Sequence, residues 1–136
     1  MANYNLFKNI DPGAITADTA SIRQKITTSQ SKLSSFSSSL SDGMWKAPSK
    51  ATLKDAFSRI DSEVYKDILD SLAKLDQAAG IISKYNDAKS AAETYKGYIA
   101  NYNESIPDSV LQSWKSNLSI KEGIMEECER QINGLK

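Results

Sequence analysis

The sequence predicts an all-α protein: an antiparallel helical hairpin with a long second helix and an additional C-terminal helix, in a single domain over residues 1–136. Three observations predict it. Apolar residues recur every three or four positions through most of the chain, and no stretch alternates strictly as a half-buried strand would. Pro12, Pro48 and Pro107 each sit just ahead of such a stretch, where the missing N–H of proline would be unpaired anyway. Six glycines and three prolines are too few for a turn-rich β protein.

The first helix is predicted over about residues 14–41, on the stripe Ile15, Ile22, Ile26, Leu33, Phe36 and Leu40. Ten of the fifteen residues from Thr27 to Ser41 are Ser or Thr, and serine hydroxyls compete for backbone groups. A low-complexity coil is the competing reading. Leu33, Phe36 and Leu40 keep the stripe in phase through the serines, which selects the helix. So poor an intrinsic helix former depends on a partner surface. Ser41-Asp42-Gly43 stops it, glycine being the usual residue for a left-handed helix end. A tight turn over 42–48 then folds the next helix back antiparallel.

The second helix is predicted from about 48 to 104. Its main stripe is Leu53, Phe57, Ile60, Val64, Ile68, Leu72, Leu75, Ala79 and Ile82, in steps of three and four. A thinner stripe carries Tyr65, Leu69 and Ala73, followed later by Tyr95, Tyr98 and Tyr102. Two stripes on one helix imply more than one packing neighbour, so these six residues are the candidate partner interface. Continuous to residue 104, the helix would be roughly 85 Å long; a break at Gly80 would make the arrangement more compact. The third helix, about 107–134, opens at Ser105-Ile106-Pro107-Asp108, which has capping-box spacing. Its seam runs through Val110, Leu111, Trp114, Leu118, Met125, Cys128, Ile132 and Leu135.

Composition excludes much chemistry. Lys and Arg number 17 against 17 Asp and Glu, and splitting the chain after Ile68 gives 9 against 7, then 8 against 10. No basic stripe exists to neutralise phosphates, so a nucleic-acid partner is not expected. The absence of histidine removes His-based triads, His-ligated metal sites and the usual proton shuttle. The acids Asp108, Glu126, Glu127 and Glu129 read as a solvated face rather than a metal site, and Cys128, on the apolar seam, as a small hydrophobe. We expect no catalytic residues, no metal and no cofactor. The first fourteen residues lack a basic segment followed by an apolar core, as a cleavable signal requires, and no apolar run is long enough to span a membrane, so the chain is expected to start in the cytoplasm.

The turn Gly43-Met44-Trp45-Lys46-Ala47, after a Ser-rich helix and before a second helix, resembles the WXG family, the ESAT-like helical proteins of type VII secretion. The family motif is Trp-Xaa-Gly; here Ala47 replaces the glycine, so Gly43, Trp45 and Ala47 are the turn-motif residues. The resemblance covers about residues 10–90, and the extra third helix is more similar to the helical partners of LXG toxins. It implies a non-enzymatic secretion substrate or targeting partner, exported or cell-surface by a signal-peptide-independent route. Its partner would be a helical chain: an LXG-toxin N-terminal domain, another WXG-like chain or a second copy. The family's export signal, Tyr-Xaa-Xaa-Xaa-Asp/Glu after the second helix, is absent. The related spacing Phe57 to Asp61 occurs, but Phe57 belongs to the core stripe. The alternatives from other classes are a cytoplasmic immunity protein or antitoxin, and a structural helical-bundle subunit.

Overall fold

The protein is all-α. The computed structural model describes residues 2–41 and 49–135, and no strand occurs among them. Helix α1 spans Pro12–Ser41 and α2 spans Ser49–Arg59; a π-helical segment, Ile60–Tyr65, follows, then α3, Lys66–Ala100, and α4, Asp108–Gly134. The turn residues Gly43, Trp45 and Ala47 lie outside the described residues.

Helix α1 begins two residues earlier than the sequence predicts. The Asp11 carboxylate accepts the Gly13 N–H at 2.9 Å, satisfying one of the donors that a first turn leaves open. The serine-rich half is helical to Ser41, and its hydroxyls bond back onto the helix: Ser39 Oγ donates to the Ser35 carbonyl at 3.1 Å, and Thr28 Oγ1 to the Gln24 carbonyl at 3.0 Å. Gly80 does not break α3. The helix ends at Ala100, short of residue 104, where the Asn101 side chain donates to the Gly97 carbonyl at 2.9 Å and Tyr102 N–H closes a turn onto the Ile99 carbonyl at 3.2 Å. The capping box before α4 does not form. Ser105 bonds Asn103 through both its N–H and its hydroxyl, and Pro107, in extended geometry, occupies the cap position without a side-chain bond.

The chain divides into two compact units, Ala14–Asp76 and Met1–Gly13 with Gln77–Lys136; the boundary falls inside α3. We call them the α1 unit and the α4 unit.

In the α1 unit, contacts pair α1 with the following helical run in reverse order. Thr19 and Arg23 meet Asp76, Gln30 Nε2 donates to Asp61 at 2.8 Å, and the Phe36 and Phe57 rings lie 5.4 Å apart, edge to face. This is an antiparallel pair. The α1 seam is Thr19, Arg23, Ile26, Gln30, Leu33 and Ser37, at steps of three and four. The opposing seam starts as Leu53, Phe57 and Ile60, then continues as Tyr65, Leu69, Leu72 and Asp76. The five-residue step from Ile60 to Tyr65 is the π segment, which admits one extra residue per turn. The single long stripe expected from the sequence is thereby redirected: Val64, Ile68 and Leu75 leave the core, and Tyr65 and Leu69 enter it.

The α4 unit packs the latter part of α3 against α4 beneath an N-terminal strap. Ala79, Ile82, Tyr85, Ala88 and Ala92 are buried on α3, as are Met125 and Cys128 on α4. The strap, residues 2–10, is a run of tight turns closed by Lys8 N–H on the Asn5 carbonyl at 3.3 Å and Ile10 N–H on the Phe7 carbonyl at 3.1 Å. Phe7 is its anchor, 7% exposed, its ring edge-on to Tyr85 at 4.8 Å.

Candidate interaction surfaces

A part-buried polar junction lies toward one end of the α1 unit. Thr19, 2% exposed on the α1 seam, turns its hydroxyl onto the Asp76 carboxylate, and Arg23, one turn on, pairs with the same group. The two bonds, Thr19 foremost, hold the Asp76 carboxyl below its ordinary value of 3.8. The junction favours this register of the pair, because a slip of one residue would part Thr19 and Arg23 from Asp76 and leave the Thr19 hydroxyl only the Thr16 carbonyl of its own helix, at 3.0 Å.

The two sides of this pair differ in character. One side is a polar groove of about 240 Å³, lined by Ser34, Ser38, Lys54, Ser58 and Asp61 around Leu33 and Phe57. The other carries apolar side chains in water: Ile22 is 40% exposed, Phe36 52%, Val64 50%, Ile68 38% and Leu75 49%. Among the candidate interface residues in this unit, Tyr65 and Leu69 are half-buried on the seam and Ala73 is exposed. The export-motif candidates are both engaged inside the unit, Phe57 by Phe36 and Asp61 by Gln30.

Tyr95, Tyr98 and Tyr102 belong to the α4 unit. Tyr95 and Tyr98 meet edge to face at 6.1 Å, and Tyr98 leans on Trp114 of α4 at 5.2 Å while staying 48% exposed. The Tyr102 hydroxyl donates to Asp108 at 2.5 Å, which holds its proton and raises its pKa. Tyr95, Tyr98 and Trp114 thus form an aromatic ladder joining α3 to α4, with Tyr98 as its outward rung, and Tyr102 ties the segment after α3 to the start of α4 by its hydrogen bond.

The acids of α4 are engaged with neighbours. Glu127 takes Arg130 in two bonds of 3.0 and 2.6 Å, which lower its pKa, and Glu129 accepts the Asn3 N–H of the strap at 2.8 Å. Burial pushes the Cys128 thiol pKa up, away from the reactive thiolate. No group of three His, Cys, Asp or Glu among the described residues is arranged to hold a metal ion. No described helix is long and apolar enough to cross a membrane.

The sequence reading missed the strap and its socket. Phe7 stands in a segment without periodicity, so only its aromatic character signals burial. Tyr85 was legible: it continues the Ala79 and Ile82 stripe at a step of three. Its hydroxyl is buried and approaches the Leu6 main chain without a hydrogen bond of acceptable geometry, and the Tyr4 hydroxyl is likewise unpartnered. Burial raises the pKa of both phenols. Lys96 lies over the Tyr4 ring, its Nζ 3.6 Å from the centroid.

No known protein family, curated protein or solved structure matches the chain.

Proposed function

We propose that the protein is a non-enzymatic helical partner in type VII secretion, binding another helical chain, such as an LXG-toxin N-terminal domain, to form an export-competent complex. The observation that carries this reading is the antiparallel pairing of a serine-rich α1 with α2, on either side of the segment holding Trp45. That is the setting in which the Trp-turn resemblance has meaning. The half-exposed Tyr98 rung, packed against Trp114, supports it as an anchor of the kind that protein interfaces use.

The test is export in the native host. A tagged copy is followed in cells and culture supernatant, with and without the type VII ATPase, and the intracellular protein is used to pull down the co-encoded helical chain. ATPase-dependent appearance outside, with co-purification of the helical chain and loss of that chain on Tyr98→Ala, is the expected result. Retention in both strains with no helical chain recovered overturns the proposal and favours an immunity protein or a bundle subunit.

A further inference from the structure

The strap of the α4 unit is held by few of its own residues. Of residues 2–10 only Phe7 is buried; Ala2 and Tyr4 are half-buried, and the other six are exposed, Leu6 and Ile10 among them. Its contacts fall on two helices. Phe7 meets Tyr85 and Tyr4 lies under Lys96, both of α3, while the Asn3 N–H reaches Glu129 of α4. The strap therefore lies across the groove between α3 and α4. The two helices also meet directly, at Tyr98 and Trp114 and through the Tyr102–Asp108 bond, contacts in which the strap takes no part.

The fit of strap to groove is incomplete at both phenols. Tyr85 is 1% exposed, and its hydroxyl faces the Leu6 main chain without a hydrogen bond; the buried Tyr4 hydroxyl has no partner either. A buried hydroxyl left in this way forfeits the bond it makes to water. Lifting the strap returns both phenols to water and frees the backbone of a segment whose residues are mostly exposed already. The groove is thus covered by a segment that fills its aromatic socket but leaves its buried hydroxyl unmet.

We propose that the groove between α3 and α4 is a docking site for an extended segment of the partner chain, and that the strap is its internal stand-in, a latch that lifts before the partner binds. The chemistry of the incoming segment follows from what the strap supplies and what it lacks. It carries an aromatic side chain for the Tyr85 socket, an N–H donor for Glu129, and an acceptor for the Tyr85 hydroxyl, which Leu6 does not provide. The identity of the incoming chain as a helical secretion partner rests on the function proposed above; the groove and the latch do not.

Loosening the latch tests it. Full-length Phe7→Ala and Tyr4→Ala change the strap and leave the groove intact, and circular dichroism verifies their helix content. Each is compared with the wild type in two assays: fluorescence anisotropy with a labelled peptide of residues 2–11, and pull-down of the co-encoded helical chain. A site that is open only part of the time shows an affinity reduced by its open fraction. Both variants should therefore bind the peptide at least about tenfold more tightly than the wild type, whose tethered strap competes. A peptide carrying Phe7→Ala should not bind. Capture of the helical chain should rise in step, and the unaltered peptide should displace it. Peptide binding no tighter in the variants than in the wild type overturns the proposal, and so does capture that both substitutions leave unchanged or weaken. Tighter peptide binding with no helical chain recovered from any version supports groove and latch and overturns the secretion reading, and with it the identity of the incoming chain.

Discussion

Replacing Phe7 by alanine should unpin the strap. The ring is 7% exposed and edge-on to Tyr85 at 4.8 Å, so the substitution removes nearly a full aromatic burial together with one ring pair. Burial of a Phe side chain contributes roughly 2–3 kcal/mol and an edge-to-face pair about 1 kcal/mol more, which sums to roughly 3–4 kcal/mol. Against this stands the cost of ordering the strap, about 1–2 kcal/mol per residue of backbone. A strap that loses its anchor regains that freedom, so the measured loss should fall toward the lower end, about 3 kcal/mol. Urea unfolding followed by far-UV circular dichroism measures the loss, and hydrogen exchange at the Leu6, Lys8 and Ile10 amides, which close the strap's turns, locates it. Phe7→Leu keeps most of the volume and should cost about 1 kcal/mol. A change below about 0.5 kcal/mol for Phe7→Ala, with those amides still protected, would refute the assignment of Phe7 as the anchor.

Three further outcomes follow from the same geometry. Tyr85→Phe removes a buried hydroxyl that has no partner, so stability should hold or rise by about 1 kcal/mol in urea titration; a clear loss would mean the hydroxyl is bonded. Gly80→Ala and Gly123→Ala, whose added methyls meet nothing within 4 Å, should each raise stability by about 1 kcal/mol, read as an increase in Tm. The folded Asp76 carboxyl is held below 3.8, so the stabilisation is present above that pH and is lost as the pH falls through and below it. Tm measured across acid pH should drop there for the wild type, and Asp76→Asn should lower Tm at neutral pH while flattening the acid-side fall.

The helices were largely legible in the sequence because their apolar spacing is strong, and in α1 the helix prevailed over serine propensity, although of the expected stripe Ile26 and Leu33 lie on the seam while Ile22 and Phe36 stand in water beside it. The end of α3 was misjudged by a turn because Asn101, a capping side chain, carries no periodic signal. The π segment was hidden for a sharper reason. Val64, Ile68 and Leu75 continue the Leu53, Phe57 and Ile60 stripe in unbroken steps of three and four, so the sequence displays the α-helical solution while the fold adopts the other. What decides is Asp76. The π step brings it onto the seam opposite Thr19 and Arg23, and continuous α geometry would turn it away from both. Polar partners at residue separations of 53 and 57 are not visible to a reading of local pattern.

The long helical run thus carries two apolar tracks that share Leu72 and Ala79, and Ile60–Tyr65 acts as the points that send the chain along one of them. In genetic terms the segment is a one-codon insertion held in place by what it aligns downstream. Deleting a single residue there would shorten the step from Ile60 to Tyr65 to an ordinary α-helical four, leaving a continuous helix with Tyr65, Leu69, Leu72 and Asp76 still on the seam. Straightening the segment with all its residues kept would instead carry Val64, Ile68 and Leu75 inward and turn Tyr65, Leu69 and Asp76 away, trading a matched polar junction for an apolar seam. The wide turn, more than the length of the chain, is therefore what keeps the downstream half of the run in register with its partner helix.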